Sequence, residues 1–293
     1  MGRVAVDITP LRVSRDLRLL VLGNVVSGLG TQAALVALPY QIYVETGSAF
    51  LTGLLGAVEL LPLVAMALLG GAFADRHDRR RLLLLDQIAL VGTAAALAAL
   101  TFAGSPPIPL LYLLGALTAG FGAVQNVTRS AIVPNLVAPE RLRSALALNF
   151  GLMQVTMVAG PGLGGILIGA WGVGAAYTVD AVSCLAMVAA AAAMRPQPPQ
   201  AGGPTPAGVL RSIGEGLGFV RRNRALTGSF AIDLMAMTFG MPRALFPVLA
   251  VSVYHAGAAG TGLLYAAVSV GATVAALTTG WLSHARRLGM IVI

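Results

Sequence analysis

Apolar residues do not alternate with polar ones along this chain; they gather in long runs. Eight runs, at about 17–44, 50–73, 82–103, 109–131, 145–170, 173–194, 226–250 and 259–282, are each long enough for a helix to cross a bilayer, which takes roughly 20 residues. The first run exceeds the apolar core of a signal peptide, so it is predicted to remain as a span. Between the sixth and seventh runs the pattern changes. PQPPQAGGPTP reads as a flexible linker, and after it Leu210, Ile213, Leu217 and Val220 recur at spacings of three and four. Arg211, Glu215 and Arg222 fall elsewhere around that turn, which predicts a short amphipathic helix lying on the membrane surface.

The pattern also repeats. Thr52-Gly53-Leu54-Leu55 returns as Thr261-Gly262-Leu263-Leu264, and the same offset of 209 aligns Ala57 with Ala266, Ala67-Leu68 with Ala276-Leu277 and Gly71 with Gly280. The eighth run therefore corresponds to the second. Two related six-span halves are expected, with the chain reaching only the second span of the second half. This divides it into a six-span bundle at 1–194, a linker with its amphipathic helix at 195–224, and the start of a second bundle at 225–293.

Composition agrees with lipid as the main solvent: 57% of residues are hydrophobic, 10% are charged and the mean hydropathy is +0.84. The formal charge of +8 comes from 19 arginines, with no lysine, against 11 acidic residues. Those arginines cluster in alternate gaps: Arg3 to Arg18, Arg76 to Arg81, Arg141 with Arg143, Arg195 to Arg224, and Arg286 with Arg287. The gaps near Glu45, Ser105, Gly172 and His255 hold none. Short arginine-rich loops stay in the cytoplasm, so both ends of this chain are expected on that side of a bacterial cytoplasmic membrane. Charge confined to gaps is not the face of a nucleic-acid binder. Without lysine there is no phosphate-binding GxxxxGK loop, and the lone Cys184 offers neither a disulfide nor a metal pair. No cofactor and no metal are expected, and no nucleophile–base constellation marks an enzyme.

After the second run stands GAFADRHDRRR, from Gly71 to Arg81. It resembles motif A of the major facilitator superfamily: a glycine, an aspartate four residues on, an arginine, then basic residues between spans 2 and 3. The resemblance gives Gly71, Asp75, Arg76, Arg79 and Arg80 a gating role, with Gly71 allowing close helix approach and Asp75 accepting from an arginine or a helix N-terminus. Arg79 to Arg81 equally fit a solvated positive loop. Where the family pattern has a second glycine this chain has Asp78, a form similar to the siderophore- and drug-efflux branch. The repeat copy at Gly280 loses the aspartate.

In the fifth run Gly160, Pro161, Gly164 and Gly165 resemble motif C, GPxxGG, which the superfamily associates with antiporters; a glycine packing seam is the other reading. Gly160, Gly162 and Gly165 also satisfy GxGxxG, but no strand precedes them, so a dinucleotide site is not expected. The whole resemblance implies an all-α membrane protein of the major facilitator fold, with a complete first six-helix bundle plus the first two helices of the second. It further implies export of small molecules, siderophore or drug-like, with protons as coupling ion and the bilayer and a small-molecule substrate as partners. A fragment or membrane interaction protein that does not transport is the competing reading.

Four ionisable residues stand out inside the runs: Glu59, Asp180, Asp233 and Arg243. Such groups in lipid face a cavity, pair with one another or mark an ion path. Glu59 and Asp180 are candidates for protons or substrate, and Asp233 fits either function or an interfacial position. Arg243, reading as seven residues from the outer end of the seventh run, is left to snorkel, to pair with Glu59 or Asp180, or to meet an anionic substrate. The fourth run is expected to lack the buried arginine that many proton-coupled relatives carry there.

Overall fold

Long apolar runs become long helices because a backbone in hydrocarbon must satisfy its own hydrogen bonds. The computed structural model describes residues 9–104, 106–198, 214–215, 218–240 and 243–278; the linker's PQPPQAGGPTP beyond Pro198, most of the predicted amphipathic helix and the repeat copy at Gly280 lie outside them. Eight long helices are described: α1 Arg15–Thr46, α2 Ala49–Ala74, α3 Arg79–Phe102, α4 Ile108–Leu136, α5 Leu142–Trp171, α6 Val173–Ala193, α7 Arg224–Gly240 and α8 Gly257–Thr278. All but α7 contain a stretch long and apolar enough to cross a membrane. There is no strand among the described residues.

The boundaries have local causes. Ser14 and Ser48 cap α1 and α2 by accepting from Leu17 N and Leu51 N, each at 3.2 Å. Gly47, at φ 65°, reverses the chain between them in the left-handed region. Asp78 caps α3, accepting from Arg80 N at 2.9 Å and Arg81 N at 3.3 Å. This is the position where the family pattern has glycine. The start of α1 is tied to the segment after α6 by an ion pair, Arg195 Nε to Asp16 Oδ2, at 3.0 Å.

Over its described residues the seventh run is not one regular α-helix. Helix α7 is described as far as Gly240, and the described chain resumes as a 3-10 turn at Arg243–Leu245, a helical turn with Pro247 in it, and a π-helical turn at Leu249–Val253. Proline supplies no N–H and so cannot continue a regular ladder. Among the described residues, Leu226–Ala236 and Arg243–Val253 are shorter apolar helices.

α1 packs against α5 and α6, α2 against α4, α3 against α4 and α6, and α8 against α5. The interior is layered. One apolar cluster, with Val36, Ile42, Leu97, Leu111 and Tyr177, fills the end nearest Gly47. Another, with Leu17, Leu20, Leu83, Ile132 and Met187, fills the arginine-rich end. Between them lies a buried polar layer that includes Ser27, Asp86, Gln87, Gln125, Thr128 and Asp180. The outward faces carry exposed Leu, Val, Ile and Phe, as a lipid-facing surface requires. The repeat is visible in detail: Thr52 Oγ1 donates to Ser48 O at 2.9 Å in α2, and Thr261 Oγ1 to Gly257 O at 3.0 Å in α8.

Candidate functional site

Polar residues in the middle of a bundle mark where a membrane protein tolerates cost for a purpose. Two cavities open on this layer. The first, of about 400 Å³, brings together Glu59 of α2, Asp180 of α6 and Arg243 of the turn before Phe246. Three of the four ionisable candidates thus share one wall. Asp180, 6% exposed, is held by Thr31 Oγ1 at 2.9 Å and by Cys184 Sγ at 3.5 Å. Glu59 meets a bare stretch of α4: a methyl group on Gly115 would stand 3.2 Å from its Oε1. Arg243 forms no ion pair with either carboxylate. Its turn is pinned to α8 by Tyr265, whose hydroxyl donates to Arg243 O at 3.0 Å and whose ring meets Phe246 edge-on at 5.0 Å. Arg243 therefore lies in a 3-10 turn that lines the cavity. Tyr177 closes the cavity towards the Gly47 end, donating to Gln41 Oε1 at 2.9 Å. Asp233 is exposed on α7 and lines neither cavity.

Sequence reasoning missed two residues. Asp86 falls inside the third run and Arg129 inside the fourth, but each sits near an arginine-rich end, where charge reads as a topology signal. The expectation that the fourth run lacks a buried arginine is overturned. Arg129 is partly buried within α4, its Nη2 donating to Ser27 Oγ at 3.1 Å, and it lines the second cavity, of about 330 Å³. The available signal is their spacing: Gln125, Thr128 and Arg129 lie three and four apart and share one face of α4. The two cavities share Thr31 and Leu35.

Motif A is built differently from its expectation in two respects. The close approach of α2 to α4 occurs at Gly70, where a methyl group would be 3.1 Å from Val124 Cα, while Gly71 meets only Val127 at 4.0 Å. Arg79 and Arg80 are not a solvated loop. Arg79, 6% exposed, donates from Nε to Ala74 O at 3.2 Å and from Nη1 to Ala131 O at 2.9 Å. Arg80 donates from Nε to Ala191 O at 2.8 Å and also from Nη2 to Ala192 O. The two arginines therefore satisfy carbonyls near the ends of α2, α4 and α6, where the helix dipole is negative. Arg76 is exposed, and Asp75 ends α2 with no side-chain hydrogen bond among the described residues.

Motif C faces two ways. A methyl group on Gly164 would be 2.7 Å from Ala33 O in α1, and Gly160 likewise presses on Gln32. One on Gly165 would be 2.8 Å from Ala258 O and 3.0 Å from Gly262 Cα in α8. Pro161 O lies on the same α8 contact, 2.5 Å from where Gly262 would carry a methyl group. Gly162 has open space, and the GxGxxG match is interior to a helix, as expected of a chance fit.

Seven helices of spanning length, packed around a buried polar layer, define a polytopic α-helical membrane protein. The chain belongs to the Major Facilitator Superfamily, whose family model matches residues 20–293. It is 31% identical over 267 residues to the enterobactin exporter EntS of Citrobacter koseri and 30% identical to those of Shigella boydii serotype 4 and Escherichia coli O139:H28. Each alignment covers 88% of this chain and 61% of the relative, so the chain spans about three-fifths of those proteins' length.

Proposed function

We propose that the protein exports small organic molecules, siderophore or drug-like, across the bacterial cytoplasmic membrane by alternating access, in exchange for protons moving inward. One observation carries the reading: Glu59, Asp180 and Arg243 converge on a single cavity inside the helical bundle, where ionisable groups without an ion-pair partner are costly. In this reading Glu59 and Asp180 handle protons and Arg243 meets the anionic end of the substrate. Residues 1–194 act as the first bundle, 195–224 as a cytoplasmic linker and 225–293 as the start of the second, with both chain ends cytoplasmic. The names of the enterobactin exporters that resemble the chain support the substrate class and the direction.

The test uses inside-out membrane vesicles bearing the protein and two probes, hydroxynaphthalenesulfonate, a fixed anion, and its neutral sulfonamide. An imposed gradient with an acidic vesicle lumen, protons leaving as substrate enters, is expected to drive accumulation of the anion. Arg243→Gln abolishes it, Arg243→Lys restores part of it, and Glu59→Gln removes its dependence on the gradient. No accumulation by the unaltered protein defeats the export reading. Equal movement of both probes by Arg243→Gln reassigns that residue to packing.

A further inference from the structure

The segment that leaves α6 is docked, although its composition is that of a linker. From Arg195 it reads Arg-Pro-Gln-Pro-Pro, so Gln197 carries the one backbone N–H between residues 196 and 199. That N–H donates to Asp78 Oδ1 at 3.3 Å, and the carbonyl of the same residue accepts from Arg79 N at 3.0 Å. Gln197 is 7% exposed, and its side-chain amide donates to Arg195 O at 3.3 Å. Two residues earlier, Arg195 holds Asp16 at the start of α1. The segment Arg195–Pro198 thus straps the start of α1 to the start of α3.

The physics of a helix start explains why the strap sits there. The first four N–H groups of a helix have no partner within it. In α3 all four are met: Leu82 N donates to Asp78 O at 3.0 Å, Arg80 N and Arg81 N to Asp78 Oδ1, and Arg79 N to Gln197 O of the strap. One oxygen of Asp78 therefore serves both the helix and the strap, and the glycine of the family pattern would serve neither. Prolines at 196 and 198 fix φ, so the strap has little chain entropy to lose on docking. Past Met194 it is held by polar contacts more than by packing, since with Ser14, Asp16, Asn135 and Leu136 it encloses a hollow of about 570 Å³. Arg79 and Arg80 carry the junction on to carbonyls near the ends of α2, α4 and α6.

We propose that Asp78 is a positioning residue for bundle movement: it registers the strap Arg195–Pro198 on the first bundle, so that the free linker starts beyond Pro198. A shift of the second bundle then pulls on motif A, where α2, α3, α4 and α6 are tied together, rather than on the end of α6 alone. The strap stays docked through the cycle. The pull rests on the export reading, whereas the docking does not.

Two measurements on the full chain test this. Hydrogen exchange resolved to single amides, in phosphatidylcholine nanodiscs, is expected to find Gln197 and Arg79 protected. Asp78→Ala speeds both about tenfold, the worth of one hydrogen bond to a charged group, while the amides of α8 keep their rates. Asp78→Asn keeps the acceptor oxygen and stays within about threefold of the unaltered protein. Unprotected Gln197 in the unaltered protein, unchanged exchange in Asp78→Ala, or equal speeding by Asp78→Asn overturns the strap. If Asp78→Ala yields no monodisperse protein, Gln197→Pro removes the strap's donor, leaves the side-chain cap on α3, and is expected to speed Arg79 about tenfold. An Arg79 amide that stays protected there is equally fatal. In the vesicle assay with hydroxynaphthalenesulfonate, either variant is expected to lower the maximal rate about threefold at an unchanged half-saturating concentration, and Asp78→Asn to restore it. Fast exchange at Arg79 with an unaltered maximal rate overturns the positioning role and leaves a helix cap. An unaltered protein that moves no probe defeats the export reading alone, and the exchange rates then decide the strap.

Discussion

Arg79 and Asp75 belong to one motif yet do different work. Arg79 is buried and spends two donors on carbonyls of α2 and α4, so its removal leaves both acceptors and the junction of three helices uncompensated. Hydrogen bonds from a charged group are worth about 1.5–3 kcal/mol, so Arg79→Ala is expected to destabilise the bundle by about 2–3 kcal/mol in unfolding from mixed micelles. Arg79→Lys recovers little, because one ammonium cannot reach two carbonyls with a fixed fork. An unfolding midpoint unmoved by Arg79→Ala contradicts the clamp. Asp75 makes no side-chain hydrogen bond among the described residues, so Asp75→Asn is expected to leave that midpoint in place while lowering vesicle transport, if its charge serves the gate. Normal transport at equal expression removes the gating role.

At the scale of elements, glycine spacing sorts the faces of α5. Gly160 and Gly164 admit α1, and Gly165 admits α8 against backbone atoms that have no rotamer to escape into. Gly165→Ala is expected to cost about 1–3 kcal/mol and to weaken the α5–α8 contact, whereas Gly162→Ala, with open space around it, stays within about 0.5 kcal/mol. A thermal-stability comparison of the two variants in detergent checks this. Equal loss at Gly162 would restore a role for the whole glycine run. Much of this architecture was legible beforehand, since apolar run length names spans and the offset between Thr52 and Thr261 names the repeat. The 3-10 and π-helical turns from Arg243 to Val253 were not, because hydropathy sums over a window and cannot see a ladder that Pro247 interrupts within an apolar stretch. Asp86 and Arg129 escaped for a related reason: close to an arginine-rich gap, the pattern assigns charge to topology, and only helix phase and burial set them inside. Cavity membership for Glu59, Asp180 and Arg243 depends on three segments meeting, which no local pattern contains.

The whole molecule separates its charge by ends. Arg79, Arg80 and Arg195 lie at the end of the bundle where α2 finishes and α3 begins, while Gly47 and Gly172 form tight reversals at the other. Arginine-rich ends are retained in the cytoplasm because translocating a cluster of guanidinium groups against the membrane potential costs about 2.3 kcal/mol per charge per 100 mV. The capping role of Arg79 and Arg80 agrees with this, since both guanidinium groups are held on carbonyls at that same end of α2, α4 and α6. Reporter fusions at Arg81 and Arg143 are accordingly expected to show cytoplasmic activity, and fusions at Gly47 and Ala258 external activity. Because α1 and α2 are joined by a turn at Gly47 and α2 and α3 by one at Asp78, these sites cannot share a side if each intervening helix spans. Gly47 and Arg81 reporting from the same side would mean that α2 does not cross. A full inversion of all four would keep the fold and reverse the direction in which Arg243 is met by a substrate, turning the proposed exporter into an importer.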